Sequence, residues 1–312
     1  MINIQLKDLI DDRKCYEVVR ELRWPNGTRC PRCGSGEVKK RGFHTRQAHR
    51  QRYTCDACQQ QFDDLTDTIF ESHHQPLQVW ILCLYLMGLN LSNEQIGQEL
   101  DLGPGDAQQM TSQLRAGIVG KKKPVELSGE IETDEVYITA GHKGHPEIVA
   151  AEKRKGRRRK LKGKRGRGTL AGEKPPVLGM IQRNGEVFVQ MLPNVQQVTI
   201  KPVMTKVIKP GSMIYTDEYD IYSRLEEWGY QHKSVNHSAG EYARDEDGDG
   251  FHEVHVNTME GFWSLLSSWL RPHRGISQEK LPLYLGFFEF IHNIRRRGKA
   301  LLHSLIAALV AP

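Results

Sequence analysis

Long apolar runs are what this 312-residue chain most plainly lacks. The longest, residues 79–89, is about half of the ~20 residues that a membrane-spanning helix needs, so no membrane partner is expected. The opening MINIQLKDLIDD has no apolar stretch of the kind a secretory signal carries, which sets aside export as the expectation. Cysteine is scarce outside one pattern. Of six, Cys15 and Cys83 stand alone, while Cys30, Cys33, Cys55 and Cys58 form two Cys-x-x-Cys pairs. In a reducing compartment such pairs read as metal ligands rather than disulfides, so the expected location is the cytoplasm.

Acidic residues are missing from residues 153–167, KRKGRRRKLKGKRGR, which hold eleven of the 44 basic residues. The whole chain carries +6, but the rest has 33 basic against 38 acidic residues, a net −5. Basic character is therefore local, as a polyanion-binding arm requires. Three glycines and no apolar periodicity predict an arm without fixed structure. Lys153, Arg154, Lys155, Arg157, Arg158, Arg159 and Lys160 are its candidate phosphate contacts, acting by counterion release without reading sequence.

What is present divides into segments, and the length suggests two or three domains. Residues 1–23 carry a helical spacing of apolar side chains and read as a lead-in helix. Residues 24–65 form a compact unit in which the two cysteine pairs are 21 residues apart, a spacing that suits one closed tetrahedral zinc site. Cys15 and Cys83 read as ordinary apolar-face residues. Residues 74–120 are helical throughout, with Ser92 and Gln95 as a candidate capping box and a Gly-Pro-Gly turn before the last helix. That outline is helix-turn-helix-like and places Arg115 among the polar residues that would face DNA; a plain packed bundle is the alternative.

Residues 128–312 read as α/β, with a basic insertion at 152–174. Strands are expected at 130–139, 175–182, 186–192 and 212–216, with a helix over 198–207 and an Asn-Gly hairpin turn at 184–185. Two helices follow, from Asn257 and from Glu279, and a short apolar helix closes the chain. The order of strands and helix is that of an RNase H-like core, so the expected fold class is α/β: such a core behind a zinc ribbon and a small helical domain.

Two β-branched and aromatic runs contain acids: IETDEVY at 131–137 and MIYTDEY at 213–219. A carboxylate held in a strand is unfavourable unless it is paired or binds a cation. Asp134, Asp217 and the later Glu260 are thus candidates to hold two divalent ions, which suits two-metal phosphoryl chemistry. Alternation puts Glu132 on the same face as Asp134 and Glu135 on the other, and either remains an alternative ligand. Asp217 also reads as a turn residue, and Glu260 as the third helical residue of a capping box begun by Asn257. Residues 241–256 include Asp245, Asp247, Asp249 and Gly250, the opening of an EF-hand-like loop, but Val256 stands where a bidentate Glu is needed. His252-Glu253-Val254-His255 misses the zincin spacing by one residue.

TDEVY, then YTDEY, then HVNTMEGFWSLL, behind a four-cysteine ribbon, resembles the bacterial insertion-sequence transposases with an N-terminal zinc ribbon and an ISXO-type DDE domain. The resemblance spans about residues 15–300. It implies a DDE transposase whose catalytic acids are Asp134, Asp217 and Glu260, with Asn257 at a further active-site position. It implies two Mg²⁺ or Mn²⁺ ions beside the single zinc. Its partners would be the element's terminal inverted repeats and target DNA, handled by a homodimer in a bacterial cytoplasm, nucleoid-associated when on DNA. One departure is visible: the family often has Lys seven residues after the Glu, and Ser267 stands there.

Overall fold

The structure, a computed structural model, describes residues 11–143, 145–151, 168–217, 220–236, 240–246, 248–250, 252–296, 298 and 300–310. Two compact units are present: Met1–Lys122 with Arg297–Pro312, and Lys123–Arg296.

In the first unit, helix α1 (Asp12–Arg23) starts where the Asp11 carboxylate accepts the backbone N–H groups of Arg13 and Lys14. An antiparallel three-stranded sheet follows, β1 (Val38–Phe43), β2 (Gln51–Cys55) and β3 (Gln61–Asp63) in that spatial order. Its small core is aromatic: Tyr53 stacks on Phe62 at 5.2 Å, and Trp24 meets both edge-on. The Asp64 carboxylate, fully buried, ties α1 to this sheet by accepting from Arg20 Nη1 at 2.8 Å, the Gln51 backbone at 2.7 Å and the Tyr53 hydroxyl at 3.0 Å.

Helices α2 (Leu77–Gly88), α3 (Asn93–Glu99) and α4 (Pro104–Lys121) complete the N-terminal part. The capping box at α3 forms as expected, Ser92 accepting from the Gln95 N–H while the Gln95 side chain accepts from the Ser92 N–H.

The second unit is built on a mixed five-stranded sheet, β4 (Glu130–Tyr137), β5 (Pro176–Gln182), β6 (Val187–Met191), β7 (Met213–Asp217) and β8 (Gln231–Val235), in spatial order β6-β5-β4-β7-β8. The first three pair antiparallel; β7 and β8 add in parallel on the far side of β4. Short helix α5 (Pro146–Ala151) follows β4, and α6 (Gln197–Val207) makes the crossover to β7. Ile131, Leu178, Met180 and Ile214 pack with Ile200, Met204 and Tyr222 in the main core, which fixes α6 on the odd-numbered face of β4.

A two-stranded ribbon, β9 (Ala243–Arg244) with β10 (Val254–His255), brackets the acidic loop and leads into α7 (Asn257–Leu270). Helix α8 (Leu281–Arg296) closes the free edge of β6: Glu289 accepts from Val189 N–H, and Asn293 exchanges two hydrogen bonds with the Val187 backbone. Covering an edge in this way blocks pairing with a foreign strand.

The final helix α9 (Leu301–Val310) belongs to the first unit, not to the α/β unit where residues 128–312 are expected to lie together. Glycines make its seat: a Cβ at Gly117 would stand 2.7 Å from Leu309, and one at Gly88 3.2 Å from Leu301. An apolar helix needs a partner face, and α2 and α4 supply it within the same unit. Among the described residues no helix is long and apolar enough to cross a membrane.

Candidate metal centres

Cys30 and Cys33 sit in a turn before β1, and Cys55 and Cys58 in the turn that ends β2. All four sulfurs lie within 4.8 Å of one another, with Cys30 to Cys58 and Cys33 to Cys55 at 3.6 Å. A tetrahedral Zn–S₄ site with ~2.3 Å bonds needs sulfurs about 3.8 Å apart, so the donor set and its geometry fit one structural zinc. Cys15 and Cys83 are fully buried elsewhere, and burial pushes both thiols up to about 12, as in inert core cysteines.

The acids are assembled by strand register. Between β4 and β7, Glu130 pairs with Met213, Ile131 with Ile214 and Glu132 with Tyr215. The same offset of 83 carries Asp134 opposite Asp217, two residues beyond the last paired position. Adjacent strands run about 4.8 Å apart, and matched positions point to the same face. Glu260 stands on the first turn of α7, which packs on that face. Burial raises the Asp134 carboxyl to about 6, against hydrogen bonds from the Glu135 backbone and Trp263, and the charges of Asp217 and Glu260 push it the same way. Mutual repulsion of this kind is what a divalent cation relieves. The three acids form a looser set than the cysteines, which among the described residues are the one group closed tightly enough to hold a single ion.

The alternative ligands are otherwise engaged. Glu132, fully buried, accepts from Arg183 Nε at 2.9 Å, the Thr258 hydroxyl at 2.8 Å and the Met259 backbone N–H at 2.9 Å. It therefore pins the N-terminus of α7 to β4. Arg183 in turn lies 4.0 Å over the Tyr215 ring and donates to the His255 carbonyl. Glu135, on the opposite face, accepts from the buried Tyr222 hydroxyl. The expected capping box at α7 does not form: Val256 occupies the N-cap and has no capping side chain, Asn257 is already helical and exposed, and the first-turn N–H of Met259 is taken by Glu132 instead. Glu260 is also exposed.

Trp263, Gly179 and Arg183 complete the surroundings of the acids without having been singled out in the sequence. Trp263 lies one turn after Glu260, and an interior glycine in a strand marks a close approach; those were the available signals.

Arg115 does not face DNA, contrary to the expectation from helical spacing. Its side chain is buried, with Nη2 3.4 Å from Asn93 Oδ1, and it joins α4 to the start of α3. Helical spacing alone had placed it with Gln108 and Gln109, which are exposed. Lys153, Arg154, Lys155, Arg157, Arg158, Arg159 and Lys160 lie outside the described residues, as does Asp247 of the acidic loop. In that loop Asp245 accepts the backbone N–H groups of Gly248 and Gly250.

Residues 126–293 match the family model of the ISXO2-like transposase domain, and residues 10–61 that of a transposase zinc-ribbon domain. An uncharacterized protein in transposable element ISH50 of Halobacterium salinarum is 32% identical over 306 residues, which is 96% of this chain and 98% of that one. An uncharacterized transposase-like protein of Haemophilus influenzae is 31% identical over 110 residues, 35% of this chain and 81% of its own. Among solved structures, a chain of a simian T-cell lymphotropic virus intasome in complex with PP2A regulatory subunit B56 gamma aligns over 66% of this chain and 67% of that one, at 8% identity. Its TM-score of 0.29 carries no argument about the fold.

Proposed function

The chain belongs to the ISXO2-like transposase family, and on that footing we propose that it nicks the ends of its own mobile element and joins the 3′ ends to target DNA. The observation that supports this most is the parallel register of β4 and β7, which carries Asp134 to the same level as Asp217 just beyond the last paired residues, with the charges of Asp217 and Glu260 both acting on Asp134. Three successive antiparallel strands, a crossover helix, then parallel strands added beyond the first are consistent with an RNase H-like DDE core. In this reading Asp134, Asp217 and Glu260 hold two Mg²⁺ or Mn²⁺ ions, and Asn257 lines the same rim. Such ions, when bound, activate a water or 3′-hydroxyl and stabilise the leaving oxygen. The chain's own part is to keep the carboxylates converged on one side of the sheet and to exclude competing partners from them.

The zinc ribbon and helical segment bind the terminal inverted repeats, and β1 presents Lys39, Lys40 and Arg41 to solvent for phosphate contact. The basic residues 153–160 add sequence-independent contacts. Two ends must be brought together, so the working form is a homodimer on DNA in the cytoplasm. Ser267, exposed on α7 where the family resemblance implies Lys, favours one second reading: a zinc-dependent DNA-binding protein on the same fold that never cuts.

The test is cleavage of DNA carrying both element ends with Mg²⁺. The parent is expected to release nicked and joined products, and D134A and D217A to fall by roughly a thousandfold or more, the scale of a lost charge-stabilising group. Variants that cut as well as the parent overturn the assignment. A parent that binds the ends and never cuts them establishes the second reading.

A further inference from the structure

We propose that Trp263 is a positioning residue for the acidic centre, holding one oxygen of Asp134 so that the other is presented to a metal ion; this rests on the reading of Asp134 as a ligand. The indole Nε1–H donates to Asp134 Oδ2 at 2.9 Å. The terminal torsion of a carboxylate is soft and nearly two-fold, so anchoring one oxygen sets the plane of both. An indole N–H only donates, and cannot compete for the ion.

The ring is itself fixed. Trp263 is 8% exposed and lies 5.5 Å from Phe262, centroid to centroid. Gly179 pairs with Asp134 across β4 and β5, and a Cβ there would stand 2.5 Å from Trp263 Cη2 and 2.3 Å from Met259 Cε. No other residue leaves room for the indole to lie over the strand beside Asp134. The helix cannot slide along the sheet either, because Glu132 holds the Met259 N–H and the Thr258 hydroxyl. Trp263 also follows Glu260 by three positions, so the helix turn that supplies the third acid also supplies the brace for the first.

The experiment titrates Mg²⁺ into the cleavage assay with full-length parent, W263F and D134N. W263F keeps a packing ring and loses the donor. Its half-saturating Mg²⁺ concentration is expected to rise about tenfold or more, as loss of an outer-shell partner typically does, and excess Mg²⁺ restores most of the lost rate. An unmoved half-saturating concentration overturns the inference, and so does a rate loss that Mg²⁺ cannot restore, since both describe a ring that only fills space. An independent measurement labels the indole nitrogens of the five tryptophans with ¹⁵N. One indole signal should move saturably with Mg²⁺ in the parent and stay in place in D134N; no moving signal also overturns the inference. A parent without Mg²⁺-dependent cleavage, or a D134N that cuts like it, rejects the acidic centre itself. That result is read from those two proteins alone, and it removes the inference with it.

Discussion

The two candidate metal centres of this chain are opposite solutions to holding a cation. The cysteine centre draws four ligands from 29 consecutive residues, in turns, and brings its sulfurs within 4.8 Å. The acidic centre draws on positions 134, 217 and 260, and depends on β4 lying beside β7 and on α7 packing over β4 and β5. In the first, a zinc ion would extend the core: Tyr53, Phe62 and Trp24 are too few to hold three short strands alone. In the second, a sheet with its own apolar core sets like charges near one another, and any ion bound there would be an addition to that fold.

The largest effect should come from breaking the first centre. Structural zinc binding in small ribbons is coupled to folding by roughly 10–16 kcal/mol, so Cys55→Ser or chelation should unfold the ribbon outright. Hydrogen exchange read by mass spectrometry should then lose protection across residues 24–65, while β4, β5 and β7 stay protected. Loss of protection in the sheet as well would show that the two centres do not stand independently.

This contrast also explains what was legible in the sequence. Cysteine spacing is a local code, and so are the Ser92–Gln95 capping box and the hairpin turn, where Asn184 takes a positive φ of 58° before Gly185. The strands bearing Asp134 and Asp217 were visible because β-branched and aromatic residues surround the acids. β8, with the sequence QHKSV, was not, since a mostly polar edge strand lacks the alternation that marks a buried one. Periodicity gives a face but not its partner. That is why helical spacing puts Arg115 on a polar face when α3 covers it, and why α9 reads as part of the α/β unit in the sequence. Glu132 and Asp134 look equivalent in the sequence; only the placement of Arg183 and the start of α7 separates them.

That separation is testable, and its effect is intermediate. Removing one partner of a buried ion pair leaves the other uncompensated, at a typical cost of 3–5 kcal/mol. Glu132→Ala strips the nearer and buried anion from Arg183, whose side chain is 12% exposed and keeps the exposed Glu130 at 3.7 Å, and it frees the first turn of α7. The midpoint of urea denaturation should fall accordingly, and Glu132→Gln should recover part of the loss by still accepting from Met259 N–H. A Glu132→Ala protein of parental stability that has lost cleavage would make Glu132 a ligand and place the acidic centre one turn of the pleat away.

The smallest effect is the most discriminating, because it has opposite signs for stability and function. The Asp134 carboxyl is raised to about 6 from 3.8, chiefly by burial. Between those values the folded protein keeps a proton that the unfolded chain has released, so its stability declines as pH rises through the window and the loss is complete above about 6. At neutral pH the penalty is of the order of 2–3 kcal/mol. Asp134→Asn carries no charge to bury and retains an oxygen for the Trp263 N–H, so it should melt several degrees higher than the metal-free parent at pH 7. At pH 4 the two should melt together. Mg²⁺ should raise the parent toward the variant and leave the variant where it is. A parent whose melting temperature shows no decline between pH 4 and 6 that Asp134→Asn removes would mean the carboxylate is well solvated. The acidic centre would then not be a fold holding charges together against their preference, and its contrast with the cysteine centre would fail on that side.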